Sequence, residues 1–237
     1  MILEGPELTI IVPMLNEAAR IEHALQRLQS LRKRGVEIIV VDGGSVDESV
    51  AIAEPYVDLL IESGEGIQHN RAKQMNAGAF HATGRILLFL HADTQLPDQA
   101  YKLILQAMEL PHVWGRFDVK LSGENFMFRI IETMMNLRSG LTGVATGDQG
   151  IFVMRHIFEE IKGFRDYPIM EDIDISKRLR KKAYPVCLKQ KAITSSRRWE
   201  KNGIFKTIGL MWWLRFLYFI GAHPRVLVQQ YYKKEPI

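Results

Sequence analysis

The chain has 237 residues, of which 47% are hydrophobic and 24% are charged, a composition that indicates one folded domain and excludes a disordered chain. Lysine and arginine total 31 against 27 aspartates and glutamates, a net charge of +4. The excess is uneven, because residues 1–188 carry 21 basic and 25 acidic side chains and residues 189–237 carry 10 basic and 2 acidic ones. This cationic segment favours contact with phosphate, nucleic acid or an anionic membrane surface, and composition alone does not choose among them.

The single cysteine, Cys187, excludes an internal disulfide framework and is typical of a protein from a reducing compartment. It lies in the strand-like run 185–188, so we expect a buried, structural thiol. The first seven residues include two acids, a glycine and a proline where a secretory signal has a basic and then an apolar stretch. We therefore expect a cytoplasmic protein.

Apolar strands alternate with helices along the first half of the chain. Continuous apolar runs predict buried strands, and apolar residues at helical spacing predict helices between them. This order predicts an α/β fold with a mostly parallel sheet covered by helices on both faces, whose ligands bind beyond the carboxyl ends of the strands. The predicted strands are residues 8–13, 36–41, 57–61 and 85–91, and the predicted helices are residues 16–34, with Asn16 as N-cap, 47–53 and 69–82.

The order of elements changes after the fourth strand, which predicts a mixed second half of the sheet. The predicted elements there are a helix at 97–109, a strand at 114–121, a helix near 125–137 and a strand at 149–154. No linker or change of composition separates the two halves. The sequence thus predicts one domain over residues 1–202 and an apolar, basic helical extension over residues 203–237.

Polar segments follow each of the first strands: residues 63–66 follow the third, and Asp42-Gly43-Gly44-Ser45 ends the second. The carboxylate of Asp42 can accept hydrogen bonds from a nucleobase or ribose, and the helix beyond it can face a phosphate. An ordinary strand-to-helix turn capped by the aspartate explains the same residues. The segment is neither a Walker loop nor a Gly-x-Gly-x-x-Gly fingerprint, because the required lysine or third glycine is absent.

His91-Ala92-Asp93-Thr94 closes the most apolar of the predicted strands. A magnesium or manganese ion that bridges phosphates needs one or two carboxylates and takes water and phosphate oxygens for the rest of its shell, so Asp93 suits it. Imidazole is a poor ligand for magnesium and a better one for manganese. We therefore interpret His91 as a structural residue beneath the site.

Three acids, Glu171, Asp172 and Asp174, occupy the first turn of a helix that opens at Met170. Acids in a first turn face the positive end of the helix dipole, which is worth about 0.3–1 kcal/mol each. A carboxylate crowded by two others beside bound phosphate can also act as a general base. The turn alone favours the structural explanation.

Other polar segments are weaker signals. Thr146-Gly147-Asp148-Gln149-Gly150 precedes a strand, and Ser195-Ser196-Arg197-Arg198-Trp199 begins the cationic segment. The two arginines can clamp a diphosphate while Trp199 stacks on a sugar or base, or the segment can be a solvated turn. Arg71 and Gln74 share one face of a predicted helix.

In their order along the chain, these segments resemble the family 2 glycosyltransferases of GT-A fold over residues 8–200. The chain is most similar to compact bacterial members that carry His-Ala-Asp-Thr and Ser-Arg-Arg-Trp. The resemblance implies a GT-A-type sheet and an enzyme that moves a sugar from a nucleotide-sugar donor to an acceptor hydroxyl. It also implies inversion at the sugar and a divalent metal cofactor, Mg2+ or Mn2+.

The resemblance implies donor-side roles for residues of several segments. Asp42 would bind the base, and Asp93 would match the last acid of the Asp-x-Asp metal motif. His91 stands at the first acidic position of that motif, a departure from the family pattern. The residues assigned to the nucleotide sugar are Pro13, Glu17, Asp42, Gly44, Arg71, Gln74, Asp93, Arg197 and Arg198.

On the acceptor side, the resemblance implies a catalytic pair. Asp172 matches the second residue of the Glu-Asp pair that supplies the base, with Glu171 beside it. Gly147-Asp148-Gln149 would line the acceptor, with Trp199 from the Arg197-Arg198-Trp199 counterpart of the Gln-x-x-Arg-Trp element. Asp172 would then deprotonate an acceptor hydroxyl while the metal and arginine stabilise the departing diphosphate.

Residues 203–220 are the most apolar stretch of the chain. They are shorter than the about 20 apolar residues of a spanning helix and include Lys206 and Arg215, so a membrane span is not predicted. We expect packing on the domain, in a homodimer interface, or on an anionic membrane surface. The last would suit a lipid or carotenoid-like acceptor at the inner face of the membrane.

Two other classes of protein share some of these features. A nucleotidylyltransferase has a similar sheet, cation and nucleotide site but usually a glycine- and lysine-rich phosphate loop, which residues 13–20 do not supply. A nucleic-acid-binding module would use the basic segment, but the sequence has no recognised reading motif and its acidic loops would repel phosphate. We therefore expect no nucleic-acid partner.

Overall fold

An eight-stranded sheet forms the centre of the fold in the computed structural model, which describes residues 5–62, 70–109 and 111–232. Its strands are β1 (Leu8–Met14), β2 (Glu37–Asp42), β3 (Leu59–Ile61), β4 (Ile86–Phe89), β5 (Thr94–Gln95), β6 (Trp114–Leu121), β7 (Ile151–Met154) and β8 (Val186–Thr194). They are ordered β3-β2-β1-β4-β7-β6-β8-β5 across the sheet. The polar segment 63–66 and residue 69, where a helix was predicted to begin, lie outside the described residues.

The first half of the sheet is parallel: β1 pairs with β2 and β4, and β2 pairs with β3. β7 pairs antiparallel with both β4 and β6, and β8 runs parallel to β6. The predicted mostly parallel α/β sheet with a mixed second half is therefore confirmed. The sequence does not predict the two-residue β5, which pairs with β8 at the edge, where the Thr94 and Thr194 hydroxyls lie 3.1 Å apart.

Helices cover the sheet, and their bounds follow the predicted ones closely. The α-helices of the described residues are α1 (Ala18–Arg32), α2 (Ser49–Ala53), α3 (Arg71–His81), α4 (Ala100–Ala107), α5 (Phe126–Thr142), α6 (Arg155–Glu160), α7 (Glu171–Arg180), α8 (Arg197–Asn202), α9 (Ile204–Phe219) and α10 (Pro224–Tyr232). α5 extends past its predicted end to Gly143, whose left-handed φ of 63° ends the helix. α6 is not predicted.

The prediction that Asn16 caps α1 is wrong. Asn16 adopts a left-handed φ of 52°, and its side-chain oxygen accepts a hydrogen bond from the amide of Val46 at 2.9 Å. The amides at the start of α1 are satisfied from the neighbouring loop: Ser49 Oγ accepts from Glu17 at 2.8 Å and Asp47 Oδ2 accepts from Ala18 at 3.2 Å. A tertiary contact thus replaces the local cap, which ties the loops after β1 and β2 together.

The core lies against the parallel strands, and β1 is buried along its whole length. Pro13 is tolerated in this central strand because the pairing of β1 with β4 ends at Ile11. Beyond that point the end of β1 pairs with β2 alone, up to Met14 beside Asp42. The carboxyl ends of β1 and β2 therefore lie side by side at one edge of the sheet.

The carboxyl-terminal helices pack on the domain. Leu214 of α9 and Leu227 of α10 are fully buried in a cluster with Val144, Ile169 and Ile173. The outer side of α9 carries several exposed aromatic residues, and no helix in the described part of the chain is long and apolar enough to cross a membrane. Of the three expected locations, packing on the domain is therefore observed for one side of α9.

Cys187 is half-buried, so the prediction of a buried thiol is wrong. It lies in β8 opposite Arg116 of β6. On the other side, β5 pairs only with Ile193 and Thr194, near the end of β8. Among the described residues, no strand pairs with the start of β8 on that side, so this part of the strand is less covered than its end.

Candidate active site

Two adjacent acids at the start of α7 have different surroundings. Met170, the residue before the helix, is buried and adopts a left-handed φ of 66°, so the chain turns sharply into the helix. Glu171 then lies buried, whereas Asp172 is half-buried. One carboxylate of the pair is thus shielded from solvent and the other is accessible.

Backbone amides hold the carboxylate of Asp172 in place. Its Oδ2 accepts from the amide of Gly147 at 3.1 Å, and its Oδ1 accepts from that of Ile173 at 2.7 Å. Ser176 Oγ strengthens this arrangement, because it donates to the carbonyl of Asp172 at 2.7 Å and accepts from the amide of Ala145 at 3.1 Å. A carboxylate has about four lone-pair sites, so the fixed group can still accept from a ligand.

Glu171 faces Arg71 at the start of α3. Its Oε1 lies 3.5 Å from Arg71 Nη1, and the exposed fraction of the side chain is 7% for Glu171 and 51% for Arg71. Burial raises the pKa of Glu171 to about 6; the charge of Asp172 acts in the same direction, and Arg71 opposes both. Glu171 therefore holds a proton more readily than an ordinary glutamate.

His91 and Asp148 form a second pair beside these acids. His91 Nδ1 lies 3.3 Å from Asp148 Oδ1. Burial is the largest single influence and raises the pKa of Asp148, but the hydrogen bond and charge of His91 and the charges of Arg71 and Arg198 together outweigh it, so the pKa is lowered. The other edge of the imidazole ring lies against Gly147, where a Cβ would overlap with it. The ring is therefore confined within the protein.

The third acid of the turn, Asp174, is held by two arginines. It is buried, and its carboxylate oxygens lie 3.2 Å from Arg165 Nη1 and 2.7 Å from Arg178 Nε. These ion pairs join α7 to the segment before it and to its own next turn. Asp174 thus stabilises the local fold.

The loop after β2 closes on the carboxylate of Asp42. This residue is buried and accepts hydrogen bonds from the amides of Gly44 at 2.7 Å and Ser45 at 2.9 Å. Gly44 has a φ of 92°, a left-handed conformation that glycine adopts without steric cost. Ser45 Oγ accepts from the amide of Asn16 at 2.8 Å, so the loops after β1 and β2 form one ledge. We call residues 13–17 and 42–45 the strand-end ledge.

Gln74 lies beneath the strand-end ledge. It is 4% exposed, and its Nε2 donates to the carbonyls of Met14 at 2.8 Å and Val41 at 3.0 Å. Pro13 is also buried, whereas Glu17 is half-buried at the start of α1. The amide of Gln74 is therefore directed at the ends of two strands, which it holds together.

Asp93 lines a cavity of about 620 Å³ between α1 and residues 92–98. It is half-buried, and within the described residues its side chain forms no hydrogen bond or ion pair. In the same part of the chain, no three His, Cys, Asp or Glu side chains are grouped to hold a metal. An open carboxylate of this kind fits a cation that takes one protein oxygen and completes its shell with phosphate and water.

The residues of segment 197–199 have different surroundings: Arg198 lies near the candidate site, and Trp199 packs in a hydrophobic cluster. The Arg198 guanidinium lies 4.1 Å from the ring centroid of Tyr231, and its charge reaches Asp148. Trp199 instead packs against a hydrophobic cluster of Leu121, Phe128 and Ile131. Arg197 is exposed. The structure therefore brings Arg198 near Asp148, and the packing of Trp199 holds α8 on the domain.

Gln149 is fully buried inside its own turn. Its Oε1 accepts from the amide of Thr146 at 3.1 Å, and its Nε2 lies 3.4 Å from Asn136 Oδ1. The short 3-10 helix Gly147–Gln149 is closed by this contact. Of the three residues of this turn that were predicted to line the acceptor, Gly147 contacts Asp172, Asp148 pairs with His91, and Gln149 supports the turn from inside.

Sequence reasoning missed two cations near the acids, Arg138 of α5 and Arg215 of α9. The charge of Asp172 acts on both guanidinium groups, so they belong to the same electrostatic cluster. The sequence signal was present, because each is an arginine in a largely apolar helix: α9 has no other arginine, and α5 has one other, Arg129. Such a residue needs a polar environment that the helix itself does not provide.

A comparison with protein families finds a match to the family described as glycosyl transferase family 2 over residues 9–184. A second comparison gives 30% identity over 168 residues with an undecaprenyl-phosphate 4-deoxy-4-formamido-L-arabinose transferase of an Enterobacter species, covering 65% of this chain and 50% of that protein. A 4,4'-diaponeurosporenoate glycosyltransferase of Staphylococcus aureus is 30% identical over 118 residues, which are 48% of this chain and 31% of that one. The chain thus spans half or less of the length of these relatives.

Solved structures with the same fold include a Pyrobaculum calidifontis mannosyltransferase in complex with GDP-Man and Mn2+, with a TM-score of 0.61 and 21% identity over 81% of this chain and 57% of that one. The first 349 residues of Staphylococcus aureus TarS in complex with UDP align with a TM-score of 0.66 and 18% identity over 80% of this chain and 60% of that one. These likenesses confirm the predicted GT-A fold.

Proposed function

Because the chain belongs to glycosyl transferase family 2 and is a glycosyltransferase, we propose that it transfers a sugar from a nucleotide-sugar donor to an acceptor hydroxyl with inversion. The observation that carries this proposal is the Asp172 carboxylate, which two backbone amides fix in a half-buried position beside cationic side chains. A carboxylate held in this way suits general-base chemistry next to an anionic leaving group.

In the proposed mechanism, Asp172 accepts the proton of the acceptor hydroxyl. The acceptor oxygen then bonds to the anomeric carbon on the face opposite the nucleotide, and the bond from that carbon to the diphosphate oxygen breaks. The electron pair leaves with the nucleoside diphosphate, so the configuration at the sugar is inverted. Glu171 keeps Arg71 in place at 3.5 Å, and Arg71 offers positive charge to the departing group.

The strand-end ledge is the proposed nucleoside site. Asp42 and Glu17 offer carboxylate oxygens there, while Gly44 allows a close approach of the backbone. Pro13 and Gln74 act from below, since they shape the ends of β1 and β2. The solved structures of the same fold that hold UDP or GDP-Man support a nucleotide-sugar donor.

Asp93 is the proposed protein ligand of Mg2+ or Mn2+. When bound there, the cation supplies positive charge to the diphosphate. His91 is confined between Asp148 and Gly147, which supports its structural role and a site with one protein carboxylate. Arg198 and the exposed Arg197 are the proposed further cations on the diphosphate side. A structural neighbour in complex with Mn2+ supports the metal.

Gly147 and Asp148 are the proposed acceptor-side residues next to the base. Gln149 acts on the acceptor by holding their turn, and Trp199 acts by anchoring α8. The relatives named for undecaprenyl phosphate and 4,4'-diaponeurosporenoate support a lipid or carotenoid-like acceptor. The exposed aromatic residues of α9 offer an apolar surface to such an acceptor or to the membrane that contains it.

The experiment that tests this proposal is a thermal-unfolding screen of the whole chain with nucleoside diphosphates and nucleotide sugars. Each compound is tested with Mn2+, with Mg2+ and with a chelator. We expect one nucleotide to raise the unfolding temperature only when metal is present, and the matching nucleotide sugar to release its diphosphate on incubation. A screen in which no nucleotide stabilises the protein contradicts the donor assignment.

The metal assignment is tested by Asp93→Ala in the same screen. We expect this variant to lose the metal-dependent part of the nucleotide effect. Glu159→Ala, at a carboxylate that is 65% exposed on α6, serves as the control and should behave as wild type. Unchanged metal-dependent binding in Asp93→Ala would remove Asp93 from the metal site.

A further inference from the structure

Arg138 and Arg215 approach the acids from helices that are far apart in the chain. Both are half-buried, and the charge of Asp172 acts on both of them, while that of Asp148 also acts on Arg215. The family motifs assign no role to either residue. We call them the arginine pair.

The arginine pair has unused hydrogen-bond donors. Nε and Nη2 of Arg138 and Nε of Arg215 are buried, and none of them finds a hydrogen-bond partner among the residues that the structure describes. Neither side chain forms an ion pair within that part of the chain. Burying a guanidinium group without partners is unfavourable. The protein therefore keeps two cations with buried N–H groups that no described residue satisfies.

The charges of the arginine pair also disfavour each other. Burial lowers the pKa of Arg138 to about 10, with the charge of Arg215 acting in the same direction and Asp172 opposing it. Burial likewise lowers the pKa of Arg215, against the charges of Asp172 and Asp148. An anion relieves such repulsion, and the planar fork of an arginine binds phosphate or carboxylate through two parallel N–H groups.

We propose that Arg138 and Arg215 bind an anionic group of the acceptor, a phosphate or a carboxylate, and so position the acceptor beside Asp172. This inference rests on the proposed function, which it deepens by naming the acceptor class. Both residues are positioning residues with respect to the transfer, because the proton passes to Asp172.

The elements that carry the arginine pair favour binding of the acceptor over binding of the donor. The strand-end ledge and Arg71 belong to the parallel half of the chain, and Arg71 contacts Glu171. Arg138 comes instead from α5, which packs beside β6, and Arg215 comes from α9. Glu171 and Asp172 thus have Arg71 near them from the parallel half, which holds the proposed donor site. The arginine pair comes from the other elements.

Exposed apolar stripes border the arginine pair and favour a lipid source for the anion. Arg138 is one helical turn after Met134, and Arg215 is one turn after Met211 and one before Phe219. Phosphate on an apolar chain would place its charge between the arginines and its chain along these stripes. The exposed residues of the two helices are Phe126, Ile130, Met134, Leu137 and Leu141 on α5 and Phe205, Trp212, Trp213, Phe216 and Phe219 on α9.

The experiment measures binding of inorganic phosphate to the full chain by thermal unfolding at constant ionic strength. The variants are Arg138→Met and Arg215→Met, which remove the charge but keep an unbranched stem, with Arg34→Met at an exposed arginine as the control. We expect the phosphate concentration at half-effect to rise about tenfold in each pair variant and to stay unchanged in the control. Unchanged values in both pair variants overturn the inference.

Stability without phosphate separates this role from a structural one. Replacing either arginine removes a buried charge with unsatisfied N–H groups, so both variants should unfold at the same temperature as wild type or above it. A lower unfolding temperature in both would mean that the pair supports the fold, which overturns the inference. A loss of nucleoside diphosphate binding in the variants would assign the pair to the donor and overturn it as well.

Vesicles distinguish the two sources of the anion. Phosphatidylcholine vesicles with and without phosphatidic acid present a phosphate on a lipid, and flotation measures the bound protein. Binding that needs phosphatidic acid and both arginines confirms a lipid phosphate, and phosphate-dependent stabilisation without vesicle binding confirms a soluble anion. Phosphate binding through the pair does not depend on sugar transfer, so failure of the nucleotide screen with intact phosphate binding would reject the proposed function alone.

Discussion

The two adjacent carboxylates at the start of α7 are suited to different tasks. Asp172 is half-buried and held by the amides of Gly147 and Ile173, so its lone pairs can face an acceptor. Glu171 is buried against Arg71 and has its pKa raised to about 6, chiefly by burial. Position and exposure therefore favour Asp172 as the base and Glu171 as its electrostatic neighbour.

Replacing Asp172 by asparagine should separate donor binding from transfer. Asparagine keeps the size of the side chain but cannot take the proton, so we expect the transfer rate to fall by about 10²- to 10⁴-fold. Nucleotide binding, measured by thermal shift, should remain. Glu159→Gln is the control for loss of an exposed carboxylate. Undiminished turnover of Asp172→Asn would eliminate this residue as the base.

Glu171 should make the stability of the protein depend on pH. Its pKa is raised from 4.5 to about 6 in the folded chain, so its contribution to stability is full below pH 4.5 and is lost as the pH rises through about 6. The Glu171→Gln variant does not lose this stability as the pH rises, because glutamine does not titrate. Between about pH 4 and about pH 7.5, the variant should gain about 2 kcal/mol in unfolding free energy relative to wild type. Urea unfolding at both pH values measures the difference, and a constant difference would contradict the raised pKa.

Gly147 lies so close to the His91 ring that an alanine there must displace it. A Cβ at Gly147 would overlap with the imidazole, whereas one at Gly209 of α9 has open space within 4 Å. We expect Gly147→Ala to lose about 1–3 kcal/mol of stability through overpacking. Gly209→Ala, the control, should gain about 0.5–1 kcal/mol because alanine favours the helix. Equal stability of the two variants in urea unfolding would show that the His91 ring can move aside without a cost in free energy.

At the level of single residues, the sequence is a better guide to which polar residues lie in the same site than to the contacts that each of them makes. Glu171, Asp172, Gly147 and Asp148 come together as the motifs suggest, although their roles stay predictions. Gln74 has the polar side chain of a ligand-binding residue, but its amide is engaged by two strand ends. That difference arises from contacts between segments that are distant in the chain, which helical spacing does not encode.

At the scale of elements, apolar continuity predicts the parallel strands because both faces of such a strand are covered. The β1 segment is buried along its whole length, in agreement with this reasoning. Apolar continuity does not predict short edge strands: β5 has two residues and forms only because β8 lies beside it. The cap of α1 is not predicted either, since Ser49 and Asp47 of a later loop satisfy its first amides.

The docking of α9 depends on one buried leucine. Leu214 is fully buried against Val144, Ile169 and Ile173, and it precedes Arg215. Leu214→Ala should cost about 2–5 kcal/mol of stability in urea unfolding, because the cavity lies between α9 and the domain. Phe219→Ala, at a ring that is 81% exposed on the same helix, is the control. It should change stability by less than about 0.5 kcal/mol, and equal losses would contradict this docking.

For the whole molecule, the uneven charge has a structural counterpart. The acids of residues 1–188 include Asp148 and Asp172. The cations of residues 189–237 include Arg198, which interacts electrostatically with Asp148, and Arg215, which interacts with both acids. Part of the cationic segment therefore completes the candidate site. Its other feature, the exposed aromatic side of α9, lies on the same helix as Arg215 and remains uncovered within the described chain.

An anionic membrane surface fits this combination of cations and exposed indole rings, so we expect the protein to bind vesicles. Trp212 and Trp213 are 64% and 52% exposed on α9, and tryptophan favours the lipid–water boundary. The full chain should float with phosphatidylglycerol vesicles at low salt and less at high salt, because salt screens its attraction to anionic lipid. The double change Trp212→Ser and Trp213→Ser should weaken binding by about tenfold or more, since each indole removes apolar area from water. Equal flotation of wild type and this variant would leave charge alone as the cause of binding, and absence of flotation at low salt would reject the membrane surface.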